Sequence, residues 1–158
     1  MCYNINMKKK WIVVLILIFL VIGCKKNNLT LDDFVEIGSR NGYILEENNR
    51  GYENYQYIKK VYYAINREDA YDIQFLELIS DSYAKMFYEL NKVELMGNVD
   101  GNTYIKNKEF SNYSLYHIEN DLDYQLVYQS NSNILYIDAP IGYIREIEEF
   151  LDELDIDF

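Results

Sequence analysis

Tyr113-Ser114-Leu115-Tyr116-His117-Ile118, Tyr124-Gln125-Leu126-Val127-Tyr128-Gln129 and Ile134-Leu135-Tyr136-Ile137-Asp138 follow one another with only short polar segments between them. Runs of five or six residues rich in Tyr, Ile, Val and Leu, bounded by Asn, Asp and Ser, read as strands, because branched and aromatic side chains suit a pleated, half-buried surface. Residues 130–133, polar throughout, close the second pair as a turn. The end of the chain therefore predicts an antiparallel sheet.

Working outward, Asp138-Ala139-Pro140 predicts the start of a final helix, since Pro is tolerated in a first turn. Ile141, Ile144, Ile147, Leu151 and Leu154 make its apolar stripe. Upstream, Asp100-Gly101-Asn102 predicts a tight turn between strands at 93–96 and 104–105. Ser80 or Asp81 opens a helix with Tyr83, Phe87 and Leu90 inward and Asp81, Lys85 and Glu89 outside. Runs 55–66 and 71–79 read as strands joined at Arg67-Glu68-Asp69, and 43–45 as a shorter one. Thr30, with Asp33 three residues on, caps a first helix, Leu29 and Phe34 staple it, and Asn41-Gly42 stops it. The sum is an α+β fold: antiparallel sheet with about three helices.

An echo at a spacing of 53 residues (Phe34 with Phe87, Ile37 with Leu90, Tyr63 with Tyr116, Ile65 with Ile118, Tyr71 with Tyr124) suggests a tandem helix-plus-strands duplication. Chance matching in a Tyr- and Ile-rich chain competes with it.

At 158 residues the chain has room for one domain with a real core. Its 26 acidic against 15 basic side chains argue against nucleic acid, whose phosphates are neutralised by Lys and Arg. The front end is different. Lys8, Lys9 and Lys10 precede an apolar run over 11–22, twelve residues long. That length suits a signal-peptide hydrophobic region and falls short of the ~20 residues a spanning helix needs.

The run ends in Val21-Ile22-Gly23-Cys24, which resembles the lipobox of bacterial lipoproteins, with Val21 where Leu is commoner. The resemblance implies that the Cys24 thiol receives a diacylglyceryl group and that a signal peptidase cuts between Gly23 and Cys24. Two acyl chains give stable anchoring where one is marginal. An uncleaved anchor with an incidental Cys, or a buried core helix, are the alternatives, and neither accounts for basic flank, run length, Gly and Cys in that order. The expected organisation is a signal peptide over 1–23, a short tether over 24–28 and a single α+β domain over 29–158. Residues 1–6 add nothing to a signal peptide, which makes Met7 an alternative start to Met1.

Removing 1–23 takes away three Lys and no acid, leaving 12 basic and 26 acidic side chains, a charge of −14. With Cys2 removed and Cys24 acylated, neither a thiol nucleophile nor a disulfide is expected. The steepest acidic excess, Glu146 to Asp157 around Arg145, reads as a solvated helix face.

Catalytic signals are sparse. His117 is the only histidine, sits in a strand run, and has no Gly-x-Ser-x-Gly nucleophile elbow to serve. One His without spare Cys makes a poor zinc site. Asn98 to Asn102 has a calcium-loop flavour, but Met96 and Asn107 fall where an EF-hand needs its first and twelfth ligands. No cofactor is implied. The layout resembles small lipoproteins of Gram-positive-type bacteria. It implies an extracytoplasmic, membrane-held, non-enzymatic protein that binds or regulates something at the cell surface, with a cationic protein partner suited to its charge. The alternative is a small hydrolase of cell-wall or surface glycans, which needs two carboxylates about 5–10 Å apart in a concave pocket.

Overall fold

The structure is a computed structural model describing residues 28–156. Gly23, Cys24 and the apolar run before them lie outside the described residues, as does Asp157. Along the chain run α1 (Leu31–Arg40), β1 (Ile44–Glu47), β2 (Ile58–Ile65), β3 (Asp72–Leu78), α2 (Asp81–Met96), β4 (Tyr104–Glu109), β5 (Tyr113–Glu119), β6 (Asp123–Ser130) and β7 (Asn133–Pro140). A short 3-10 turn, Ile141–Tyr143, leads into α3 (Ile144–Glu153). All seven strands form one antiparallel sheet in the order β1-β2-β3-β7-β6-β5-β4. This is the α+β fold with about three helices that the strand and helix signals imply.

Register is visible as a row across the front face, where Leu45, Ala64, Ile73, Ile137, Leu126, His117 and Lys106 lie opposite one another strand by strand. Neighbouring positions point backward, giving the row Glu46, Tyr63, Gln74, Tyr136, Val127, Tyr116 and Asn107. Helices cover both faces. On the front, Phe34 and Ile37 of α1 and Ile147, Phe150 and Leu151 of α3 pack on Ile73, Phe75, Leu126 and Ile137. On the back, Ala84, Phe87, Tyr88 and Leu95 of α2 pack on Val61, Leu76, Val127 and Ile134. Each such large side chain contributes about 1.5–3 kcal/mol by leaving water. β6 is buried on both faces from Tyr124 to Ser130, its polar Gln125, Gln129 and Ser130 included.

α1 begins as its sequence dictates. The Thr30 hydroxyl accepts from the Asp33 amide at 3.1 Å and donates to the Asp33 carboxylate at 2.6 Å, satisfying an amide that the first turn leaves free. Leu29 and Phe34 are both buried in the front core. At the other end Gly42 takes φ +81, a left-handed stop, and Tyr43 N–H donates back to the Gly38 carbonyl at 2.9 Å.

Five expectations are corrected. Residues 93–96 are not a strand but the last turn of α2, held there because Leu95 is buried on the back core while Val93 is the only β-branched residue of the four. The Asp100–Asn102 turn exists, but it joins a helix to β4. Within α2, Tyr83 and Leu90 point outward, 40% and 60% exposed, and the buried face is Ala84, Phe87, Tyr88 and Leu95. Apolar residues occupy two sides of this helix, so its period alone does not choose between them. The run 55–66 enters its strand only at Ile58, because Tyr52, Tyr55 and Tyr57 form turns whose rings pack on one another. Finally, Asp138, Ala139 and Pro140 extend β7, with Ala139 buried opposite Tyr124. The helix starts after a 3-10 turn, at Ile144. The expected stripe of that helix is buried at Ile147, Leu151 and Leu154, with Phe150, and partly buried at Ile141 and Ile144.

The two halves share a connectivity, α1-β1-β2-β3 and α2-β4-β5-β6, on either side of β7. A half-turn about β7 exchanges them, keeps strand direction and swaps the faces, as α1 in front and α2 behind require. Tyr63 and Tyr116, however, both face the back, as do Ile65 and Ile118. One rotation cannot swap helices and keep strand faces, so the 53-residue matching is not the register that relates the halves.

Candidate functional site

A cleft of about 310 Å3 opens at the end of the sheet where α1 stops, β2 turns into β3 and the 3-10 turn begins. Asn41, Gly42, Tyr43, Asn66, Arg67, Glu68, Tyr143 and Glu146 line it. Local sequence builds each wall. Asn66 folds the β2–β3 turn by accepting from the Ala70 amide at 2.8 Å, with Asp69 in the left-handed region at φ 54. Arg67 is laid along the α1 stop by donating Nε–H to the Gly42 carbonyl at 3.0 Å. The Arg67 guanidinium lies where a Cβ on Gly42 would stand, and with φ at +81 this stop suits glycine.

The cleft floor is aromatic. The Tyr43 and Tyr71 hydroxyls share a hydrogen bond of 2.6 Å, and the Tyr143 ring lies 5.1 Å from that of Tyr71. Burial pushes both phenol pKa values well above the usual range, and the Glu146 carboxylate adds to the effect, so neither ionises at ordinary pH. Tyr143 donates to Glu68 at 2.7 Å. Beside the cleft, Glu153 accepts from Arg40 at 2.5 Å and Asn41 at 3.0 Å, which holds its carboxyl below the ordinary carboxylate range. The site thus presents two carboxylates and one guanidinium over neutral tyrosines, on the margin of α3. The α3 acids Glu146, Glu149, Asp152 and Glu153 are exposed, as a solvated face should be, and Arg145 reaches Glu149 at 3.9 Å.

A second cleft, about 200 Å3, lies on the back of the sheet between Asn48, Arg50, Tyr63, Ile65, Asp72 and Glu46. Burial first, and then Asp138 directly opposite on β7, raise the Asp72 pKa above the ordinary aspartate value. This cleft places two carboxylates, Glu46 and Asp72, around one concavity. It is smaller than the ~300 Å3 at which ligand pockets usually begin.

His117 lies in neither cleft. It is 3% exposed on the front of β5, its ring 4.5 Å from that of Tyr124. Neither ring nitrogen has a hydrogen-bond partner among the described residues, nor does the Tyr124 hydroxyl, and Glu119 is 4.0 Å away. Burial, with a smaller contribution from the Lys106 charge, lowers its pKa to about 4, so the ring is neutral. Asp100 takes its hydrogen bonds from the Asn102 amide and the Thr103 hydroxyl, closing a plain turn. Among the described residues no group of three or more His, Cys, Asp or Glu is placed to hold a metal, and no helix is long and apolar enough to cross a membrane.

Gly23 and Cys24, the sequence's own candidates, fall outside the described residues. The cleft residues carried weaker signals: the Asn41-Gly42 stop, the Arg67-Glu68-Asp69 turn and the acidic run from Glu146 were legible singly, but their meeting was not. Compared with family models, curated proteins and solved structures, the chain matches none.

Proposed function

We propose that the protein is a lipid-anchored, extracytoplasmic binding protein of the bacterial cell surface, non-enzymatic, that takes a cationic group of a protein partner at the Tyr43–Glu146 cleft. The anchoring half rests on Lys8 to Lys10, the twelve-residue apolar run and Val21-Ile22-Gly23-Cys24. The observation that carries the binding half is the convergence of Glu68 and Glu146 on a tyrosine-floored concavity beside the acidic face of α3. A Lys or Arg head entering there meets two carboxylates and aromatic faces, with Arg67 rejecting it on one side only. The surrounding charge of −14 steers a basic partner and makes capture fall with salt.

Two measurements test this. The mature protein is expected to carry a diacylglyceryl mass on Cys24 and to enter the detergent phase. A Cys24→Ser protein still cut at the same bond and still in that phase refutes the anchor. Capture of a basic partner from solubilised membranes is expected at low salt and to drop with Glu68→Gln/Glu146→Gln; salt-independent capture refutes the electrostatic site.

A second reading, a small surface-glycan hydrolase, is favoured by one observation: the raised Asp72 acid faces a cleft shared with Glu46. Release of reducing ends from cell-wall oligosaccharide, abolished by Asp72→Asn, would support it over the binding reading.

A further inference from the structure

α2 is apolar on two sides. Its inner face is buried on the sheet, yet Tyr83, Met86, Leu90, Val93 and Met96 are 40–66% exposed, and Ile79 just before the helix is 48% exposed. Residues 83, 86, 90 and 93 recur at helical spacing along one outer stripe. A helix with apolar residues on both sides is suited to burial on both, and among the described residues this one has only the sheet.

Two observations say what covers the other side. The first is the tether. Asn28 and Leu29 are tied to the β6–β7 turn, Asn131 donating to the Asn28 side chain and Asn133 to the Leu29 carbonyl at 2.8 Å. Ser132 in that turn accepts from the Leu78 amide at 2.9 Å, and Ile79 bonds to Tyr57, whose ring stacks on Tyr83 at 5.2 Å. The chain therefore arrives at the N-terminal end of α2. Cys24 is four residues upstream of Asn28, a reach of at most about 14 Å, against a helix about 24 Å long. The second observation is charge. The steepest acidic run, on α3, lies on the front face, whereas α2, behind the sheet, carries Lys85 and Lys92 among Asp81, Glu89 and Glu94, with Lys92 drawn to Glu109 at 2.5 Å.

We infer that the outer stripe of α2 is the face with which the anchored domain lies on the phospholipid bilayer; this rests on the lipid anchor proposed above. Apolar side chains and a tyrosine enter the interface and Lys85 reaches the headgroups beside them, while the acidic α3 is held on the far side of the sheet. The orientation leaves the Tyr43–Glu146 cleft, at the end of the sheet remote from Asn28, open to a partner.

The test uses fluorescence. The only tryptophan is Trp11 in the signal segment, so the mature chain has no indole background. Acylated Leu90→Trp and, as control, acylated Glu149→Trp on α3 are placed in vesicles of mixed neutral and anionic phospholipid with brominated acyl chains. Leu90→Trp is expected to be blue-shifted and quenched several-fold more than Glu149→Trp. Equal quenching, on protein whose diacyl mass has been confirmed, overturns the docking and leaves the anchor standing. Absence of the acyl mass overturns the anchor and the docking with it. A blue shift already present in detergent, lost on dilution, assigns the stripe to a second protein molecule and overturns the lipid assignment.

Discussion

Acidification from pH 7 to pH 4 is expected to destabilise the protein by about 3 kcal/mol through one side chain, His117. The unfolded chain exposes the ring, which then titrates near the ordinary 6.5, while burial in the fold lowers that value to about 4. A depressed histidine pKa means that the unfolded state binds more protons between those two values, so stability is lost as pH falls from 6.5 and the loss levels off below 4. Weighing the two titrations gives about 2 kcal/mol by pH 5 and about 3 kcal/mol by pH 4. Other groups contribute below about pH 4.5: Glu109 and Glu153 are held ionised by Lys92 and Arg40 and lose those interactions when protonated. The comparison that isolates His117 is His117→Phe, whose ring can keep the packing against Tyr124 and Tyr104 and leaves no orphaned nitrogen. Urea midpoints at pH 7, 6, 5 and 4 should fall for the parent and fall less for the variant, by the amounts above. Parallel curves for the two proteins, or an imidazole resonance that titrates near 6.5 in the folded protein, would refute the burial argument.

Gly42→Ala is expected to lower stability by about 1–2 kcal/mol in urea unfolding, since φ +81 strains an L side chain, while the Arg67 guanidinium can swing aside. Leu126→Ala, a fully buried position at the centre of the front face, should cost about 2–5 kcal/mol and lower the melting temperature accordingly. Thr30→Ala removes the α1 cap and should cost about 1 kcal/mol, seen in the same assay. Asp72 has the opposite sign to His117. Its folded pKa is raised by burial and by Asp138, so it destabilises when ionised, and Asp72→Asn should raise the urea midpoint at pH 7 and widen the gap between pH 7 and pH 4.

Local chemistry was legible where one choice dominates. The Thr30–Asp33 cap, the Gly42 stop and strands β3, β5, β6 and β7 follow from residue type and period, because a capped amide or a branched run has few alternatives. α2 was less legible because Tyr83, Leu90 and Val93 compete with Ala84, Tyr88 and Leu95 for the inward position; only packing on Val127 and Ile134 breaks the tie. The extension of β7 through Ala139 and Pro140 was likewise hidden, since Pro serves equally at a strand end and a helix start.

The amino-acid order by itself determined the class of fold, the charge, the capped first helix and the expectation of an acylated Cys24, all of which depend on neighbours within a few residues. Tertiary structure alone decided the strand order with β7 at the centre and the meeting of Glu68 with Glu146. It also decided which side of α2 remains outside. Those outcomes depend on contacts between residues far apart in the chain, whose free energies are settled only when both faces of the sheet are covered at once.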